Sequence, residues 1–346
     1  MKTSPVLILF LVLLLPFTGC DEDESRPAEA FPEIVQGEGV FIINEGNFGW
    51  NNASLGYYDK TGDTMHPDLF MQTHGEALGD VFQSMMIHND KAYMVVNNSG
   101  RIEVLHPETL ERIGTIEGLT SPRYFVPVND NKAYVTDLYA GRIHILDLQT
   151  LEVTGHISVH GWTEAIAELS SRIVATGVES DQLYVIDPET DQLTDSIHVP
   201  PGPVSVTTTA DGDLWVLSGG ESWFKTPPVL YQINGHDLSI RAEHPLPDAD
   251  NHYSRLTVCP EGKTLYFLGG DVYRLHTDDS KAEVDVIIPA EGRLFYGLSV
   301  DPSNGELYVS DAIDYVQQGR MLRYDSEGNL LHSQHTGNIP GDFIFY

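Results

Sequence analysis

Positive charge is what this chain has least of. Of 346 residues, 19 are Lys or Arg against 51 Asp or Glu, a formal net charge of −32. A phosphate backbone would be repelled by that field, which argues against DNA or RNA as a partner. Only seven residues are Lys, and the acidic excess carries the further expectation of salt adaptation. Cysteine is almost as scarce. Cys20 and Cys259 are the only two, so no disulfide framework and no Cys-x-x-Cys site can be built. Catalytic signatures are missing too. The 14 His form no His-Glu-x-x-His and no His-x-His, and the pairs His156/His160 and His332/His335 fall in strand and loop contexts, not on one helical face. There is no Gly-x-Ser-x-Gly elbow, and no glycine-rich phosphate loop leads from a strand into a helix. Val6 to Leu15 is the one sustained apolar run, too short for a comfortable membrane span. No helix-period stretch of useful length is present.

What the chain does have is a repeat. Lys91 to Ile116 (KAYMVVNNSGRIEVLHPETLERIGTI) aligns without a gap on Lys132 to Ile157 (KAYVTDLYAGRIHILDLQTLEVTGHI), 41 residues on. Each unit reads as strands. Ala133 to Thr136 is β-branched and aromatic, Leu138 to Gly141 is a turn, Arg142 to Asp147 alternates, and Leu151 to Ile157 follows a second turn. With Arg123 to Val128 in front, the unit has four strands. A period near 40 with four strands per unit predicts an all-β, seven-bladed propeller.

The blade count comes from one marker at the end of the third strand: Tyr58-Asp59, Leu105-His106, Leu146-Asp147, Ile186-Asp187, Ile233-Asn234, Leu275-His276 and Tyr324-Asp325. Asp59, Asp147, Asp187 and Asp325 repeat around the ring, which suits a turn former better than a catalyst. The first unit has no strand before Val40-Phe41-Ile42-Ile43, whereas Gly341 to Tyr346 is an apolar strand with no sequel. The C-terminal strand is therefore expected to complete the first blade and close the ring.

The expected organisation is a targeting segment over 1–19, a tether over 20–37 and the propeller over 38–346. Lys2, the apolar run and Phe17-Thr18-Gly19-Cys20 resemble a bacterial lipoprotein signal, with Cys20 as the lipidated residue. Asp21-Glu22-Asp23-Glu24 resembles the surface-export signal of Bacteroidetes-type lipoproteins. Cys259, beside Leu256 and Val258, reads as a small core residue.

Insertions should mark the binding face. The long loops between second and third strands are Glu45 to Ala53, Ser218 to Val229 and Ala312 to Gly319. On that face the sequence places Trp50, Trp162 and Trp223, with Phe48, Tyr139, Phe224, Tyr253, Tyr296 and Tyr315. Asn47, Asn51, Asn52, Asn97, Asn98 and Asn251 lie among them. Aromatic anchors among amides suit a bulky, partly polar small molecule. Asp137 and Asp311, just past their second strands, are the weak candidates for a channel metal; no catalytic residue and no cofactor is expected.

The units YVTDLYAGRIHILDLQTLEV and LYVIDPETDQL resemble the YncE-type seven-bladed propellers over nearly all of Gly39 to Tyr346. The run Asn44 to Asp59 (NEGNFGWNNASLGYYD) is similar to the start of BtuG-type surface lipoproteins. That resemblance implies a lipid-anchored protein on the outer-membrane surface that captures cobalamin without chemistry and passes it to a TonB-dependent transporter. A propeller hydrolase or lyase with a channel metal, and a surface protein-interaction scaffold, stay open as alternatives.

Overall fold

The computed structural model describes residues 31–219, 227–248, 251–277 and 283–346. Cys20 and the other signal and tether residues before 31, together with Trp223 and Phe224, lie outside the described residues. The chain divides into Met1–Phe31 and Pro32–Tyr346, and the second unit is a ring of seven antiparallel four-stranded blades.

Blades 2 to 7 each take four consecutive strands. Blade 3, for instance, consists of Pro122–Asn129, Lys132–Asp137, Arg142–Asp147 and Glu152–Ser158. Blade 1 is closed across the termini, with Pro340–Phe345 pairing alongside Gly39–Asn44 so that Ile42 faces Phe343. The expected closure is the observed one. The first strand of each blade packs on the first strands of its neighbours, so seven inner strands line the axis. Their second strands read as apolar runs, such as Lys91–Val96 and Leu214–Ser218, because both faces are covered by adjoining blades. The outer strands, such as Gln192–His198, face solvent.

The turns follow from the marker aspartates. The Asp147 carboxylate accepts from the amides of Gln149 and Thr150 at 2.8 and 2.9 Å, and Asp59 does the same for Thr61 and Gly62. These are Asx turns, which fix the third-to-fourth strand hairpins. One short helix was not expected. Leu69–His74 is capped by Asp68, whose carboxylate accepts from the Met71 amide at 3.1 Å, and it ends at left-handed Gly75. It packs on the third strand of blade 1, Ser54–Asp59, beside an outer strand that is only Thr64–His66. Cys259 is half-buried beside the core between blades 6 and 7, and its sulfur accepts from the amides of Lys263 and Thr264.

Candidate functional site

The inner strands share one irregularity. In every blade the pairing between inner and second strands slips near the start of the inner strand. The slips fall after Phe82, Pro122, Thr163, Pro203, Ser254 and Phe295, and beside Pro340 in blade 1. Such bulges re-aim a side chain that regular pleating would bury between sheets. The residues at these positions are Gln83, Arg123, Glu164, Val204, Arg255, Tyr296 and Gly341. The first six line a cavity of about 940 Å³ at the mouth of the channel. In blade 1 the glycine leaves room for a substitute. A Cβ on Gly341 would stand 2.4 Å from Oε1 of Glu45, which comes from the end of the second strand and fills the seventh place.

These side chains form a hydrogen-bonded belt. Nε of Arg123 donates to Glu164 at 2.8 Å, a second bond joins the same pair, and its Nη1 donates to Gln83. Gln83 reaches the Tyr124 hydroxyl at 3.5 Å. That hydroxyl accepts from Nη1 of Arg255 at 3.0 Å, a contact from blade 3 across to blade 6. Arg255 pairs with Glu45 at 3.1 Å, lies over the Tyr296 ring at 5.5 Å, and Tyr296 donates to Glu45 at 2.8 Å. The indole N–H of Trp162 donates to Glu164 at 2.6 Å. Each buried guanidinium thus has a carboxylate, the arrangement buried charge requires. Burial opposes the charge on Arg123, but Glu164 more than compensates and holds its guanidinium above the usual arginine range. Arg255 is likewise raised by Tyr124 and Glu45 against its burial. Burial pushes the Glu45 carboxyl up, against the pull of Arg255 and the Tyr296 hydroxyl. Tyr296 is pushed well up by burial and by Glu45.

Above the belt stands a wall of loops. The Asn47 side chain donates to the Tyr315 carbonyl, and Asn338 to that of Val316 at 2.6 Å. The Gly49 amide and the Asn98 side chain both donate to Asp80, at 2.7 and 2.6 Å. Blades 7, 1 and 2 are thereby tied at the top. Phe48, Tyr139, Trp162 and Tyr315 form an aromatic crescent along the cavity, Phe48 and Tyr139 being 75% and 76% exposed. Asn251 and His252 line the far side. Burial and Arg255 hold the His252 imidazole below its ordinary value.

Of the residues singled out from sequence, Phe48, Asn98, Tyr139, Trp162, Tyr296 and Tyr315, with Asn97 and Asn251, meet at this cavity. Others are placed differently. Tyr253 is fully buried, packed on Phe267 and Tyr273 between blades, so a ligand in the cavity does not meet its ring. Trp50 and Asn51 are exposed on the loop but do not line the cavity. Asn47 and Asn52 bond each other at 3.1 Å and shape that loop. Asp137 is taken up by its own blade. Its carboxylate accepts from the amides of Thr120, Ser121, Tyr139 and Ala140 and from His144 at 3.1 Å. Asp311 is similarly engaged by the amides of Leu294 and Ile313. Among the described residues no group of three or more His, Cys, Asp or Glu is placed to hold a metal.

Sequence reasoning looked to the loops and missed the belt: Glu45, Gln83, Arg123, Tyr124, Glu164 and Arg255. A signal was available. Aligned across blades, the second inner-strand residue varies through Gln, Arg, Glu, Val, Arg, Tyr and Gly, while its neighbours, Tyr124 and Asp342 apart, stay apolar or small.

The comparisons with known proteins agree with this architecture. No curated protein matches the chain in sequence. Solved structures similar to it include a hydrazine synthase from Kuenenia stuttgartiensis (16% identity, 73% of this chain and 85% of that one, TM-score 0.61). A quinonprotein alcohol dehydrogenase-like protein from Bacteroides thetaiotaomicron is similar at 15% identity, 89% and 78% coverage and TM-score 0.70. A protein from Lactobacillus plantarum is similar at 15% identity, 89% and 99% coverage and TM-score 0.69. At these identities the likeness is one of fold alone. Residues 38–339 match the family described as a domain of unknown function, DUF5074, and the chain belongs to that family.

Proposed function

We propose that this protein is a binding protein that holds a bulky, partly polar small molecule over the mouth of its propeller. The observation that supports it is the cavity itself: about 940 Å³, with an aromatic crescent on one side and a belt of donors and acceptors at its base. Sites of this size with a few convergent polar groups are where propellers and other folds take ligands. Stacking on Trp162, Tyr139, Phe48 and Tyr315 would supply area, and Asn98, Asn251 and the belt would orient the ligand's polar fringe. Cobalamin is the ligand favoured by the resemblance of Asn44 to Asp59 to BtuG-type proteins. The same resemblance favours a protein anchored through Cys20 on the outer-membrane surface that hands its ligand to a TonB-dependent transporter.

The test is direct. Protein comprising 21–346 is mixed with cobalamin at low and high salt and passed through gel filtration with visible absorbance followed. Co-elution is expected, and Trp162→Ala should weaken binding by about 2 kcal/mol or more. Absence of co-elution at both salts removes cobalamin. Equal affinity of W162A would remove the crescent as the contact surface.

A further inference from the structure

The belt is not closed. Its bonds run from Glu164 through Arg123, Gln83, Tyr124 and Arg255 to Glu45 and Tyr296. Two of its members, Glu164 in blade 4 and Arg255 in blade 6, flank blade 5, and no hydrogen bond or ion pair joins these two among the described residues. Blade 5 contributes Val204 at the position where five other blades bring a long polar or aromatic side chain. The rest of its inner strand, Pro203–Thr208, carries only short side chains. Val204 to Thr208 stay half-buried although they stand at the centre of the ring. The cavity continues down this side past Val204, Ser205, Val206, Leu256, Thr257 and Leu298.

We infer that blade 5 forms a slot that takes an uncharged hydrocarbon portion of the ligand, with Val204 as the specificity-determining residue. The inference rests on the capture reading and deepens it: the ligand is amphipathic, its polar part on the belt and crescent, its apolar part beside Val204. The walls give the reason. Val204, Val206, Leu256 and Leu298 offer apolar surface whose removal from water favours hydrocarbon. An anion entering there would meet Glu164 and a cation would meet Arg255, and each of those groups already holds its own partner, so neither could turn to a charged guest without breaking a buried pair.

The experiment uses Nile red, an uncharged apolar dye, titrated into the folded protein with emission followed. Saturable, blue-shifted binding is expected at one dye per chain. Val204→Gln, which copies the residue blade 2 has at this position, should weaken it about tenfold or more by placing an amide in the slot. Leu330→Ala, at an exposed apolar residue on an outer strand, should leave it unchanged. If V204Q does not fold, Val204→Thr keeps the shape and should weaken binding about threefold to tenfold. No saturable binding, equal binding by the folded Val204 variants, or loss in L330A overturns the slot. Cobalamin co-elution in the same preparation separates the two readings. Co-elution without dye binding removes the slot and leaves capture standing; dye binding without co-elution removes cobalamin and leaves the slot.

Discussion

Asp137 and Glu45 are both buried acids at the top of second strands, and their partners separate their roles. Asp137 accepts four main-chain amides and His144. Burial pushes its carboxyl up, but the bonds from His144 and the amides outweigh it, and the group lies below the ordinary aspartate range. A carboxyl depressed by folding contributes stability above its unfolded value, and that contribution is lost as pH falls through the folded value. Asp137→Asn keeps the shape but replaces one of the two accepting oxygens by an amide NH2 that faces N–H donors. It should cost about 1–3 kcal/mol at neutral pH. The gap between wild type and D137N, measured by urea unfolding from pH 7 downward, should shrink below the carboxylate range; a pH-independent gap would show that the charge of Asp137 contributes nothing. Glu45 differs in kind, because its partners are side chains from blades 6 and 7 that converge on a cavity.

At the scale of the strand, the same element carries two messages of unequal legibility. The fold was readable because each second and third strand repeats an apolar, β-branched pattern, and a pattern that must pack against the next blade cannot vary much. Ring closure was readable because Phe343 to Tyr346 is an apolar strand without a partner in sequence order. The aromatic crescent was readable in part, since Phe48, Tyr139 and Tyr315 sit in loops whose position follows from the blade. The belt was not read because a bulge reverses the inside-outside rule for one residue: Arg123 and Arg255 look like solvent-facing members of alternating strands. Tyr253 failed for the complementary reason, as a residue next to a loop whose ring turns into the core. Gly341 tests the element directly. A methyl there would press on the Glu45 carboxylate at 2.4 Å, and Gly341→Ala should destabilise by about 1–3 kcal/mol through overpacking. An unchanged denaturation midpoint would mean that Glu45 does not fill the seventh place.

For the whole molecule, the cavity exists only if the ring is closed. Glu45 sits beside the seam, Tyr124 reaches from blade 3 to Arg255 in blade 6, and the crescent runs from blade 7 through blade 1 to blade 4, so no single blade owns the site. The seam is one strand pairing, Gly39–Asn44 with Pro340–Phe345, backed by Phe343 packed near Tyr308 at a ring separation of 5.8 Å. Phe343→Ala opens a cavity in that contact and should cost about 3–5 kcal/mol. Deleting Phe343 to Tyr346 goes further. It strips Gly39–Asn44 of its inner neighbour, leaves an apolar strand edge in the channel, and removes the surface on which the inner strand of blade 7 packs. Because each blade packs its strands on the blades on either side, an open ring has two unsupported faces where the closed ring has none. The deletion should therefore abolish the cooperative thermal transition at low and high salt alike and bring aggregation through the freed edge, whereas F343A should keep the transition at a lower temperature. A truncated chain that melts as the intact one does would place the closing contacts somewhere other than this seam.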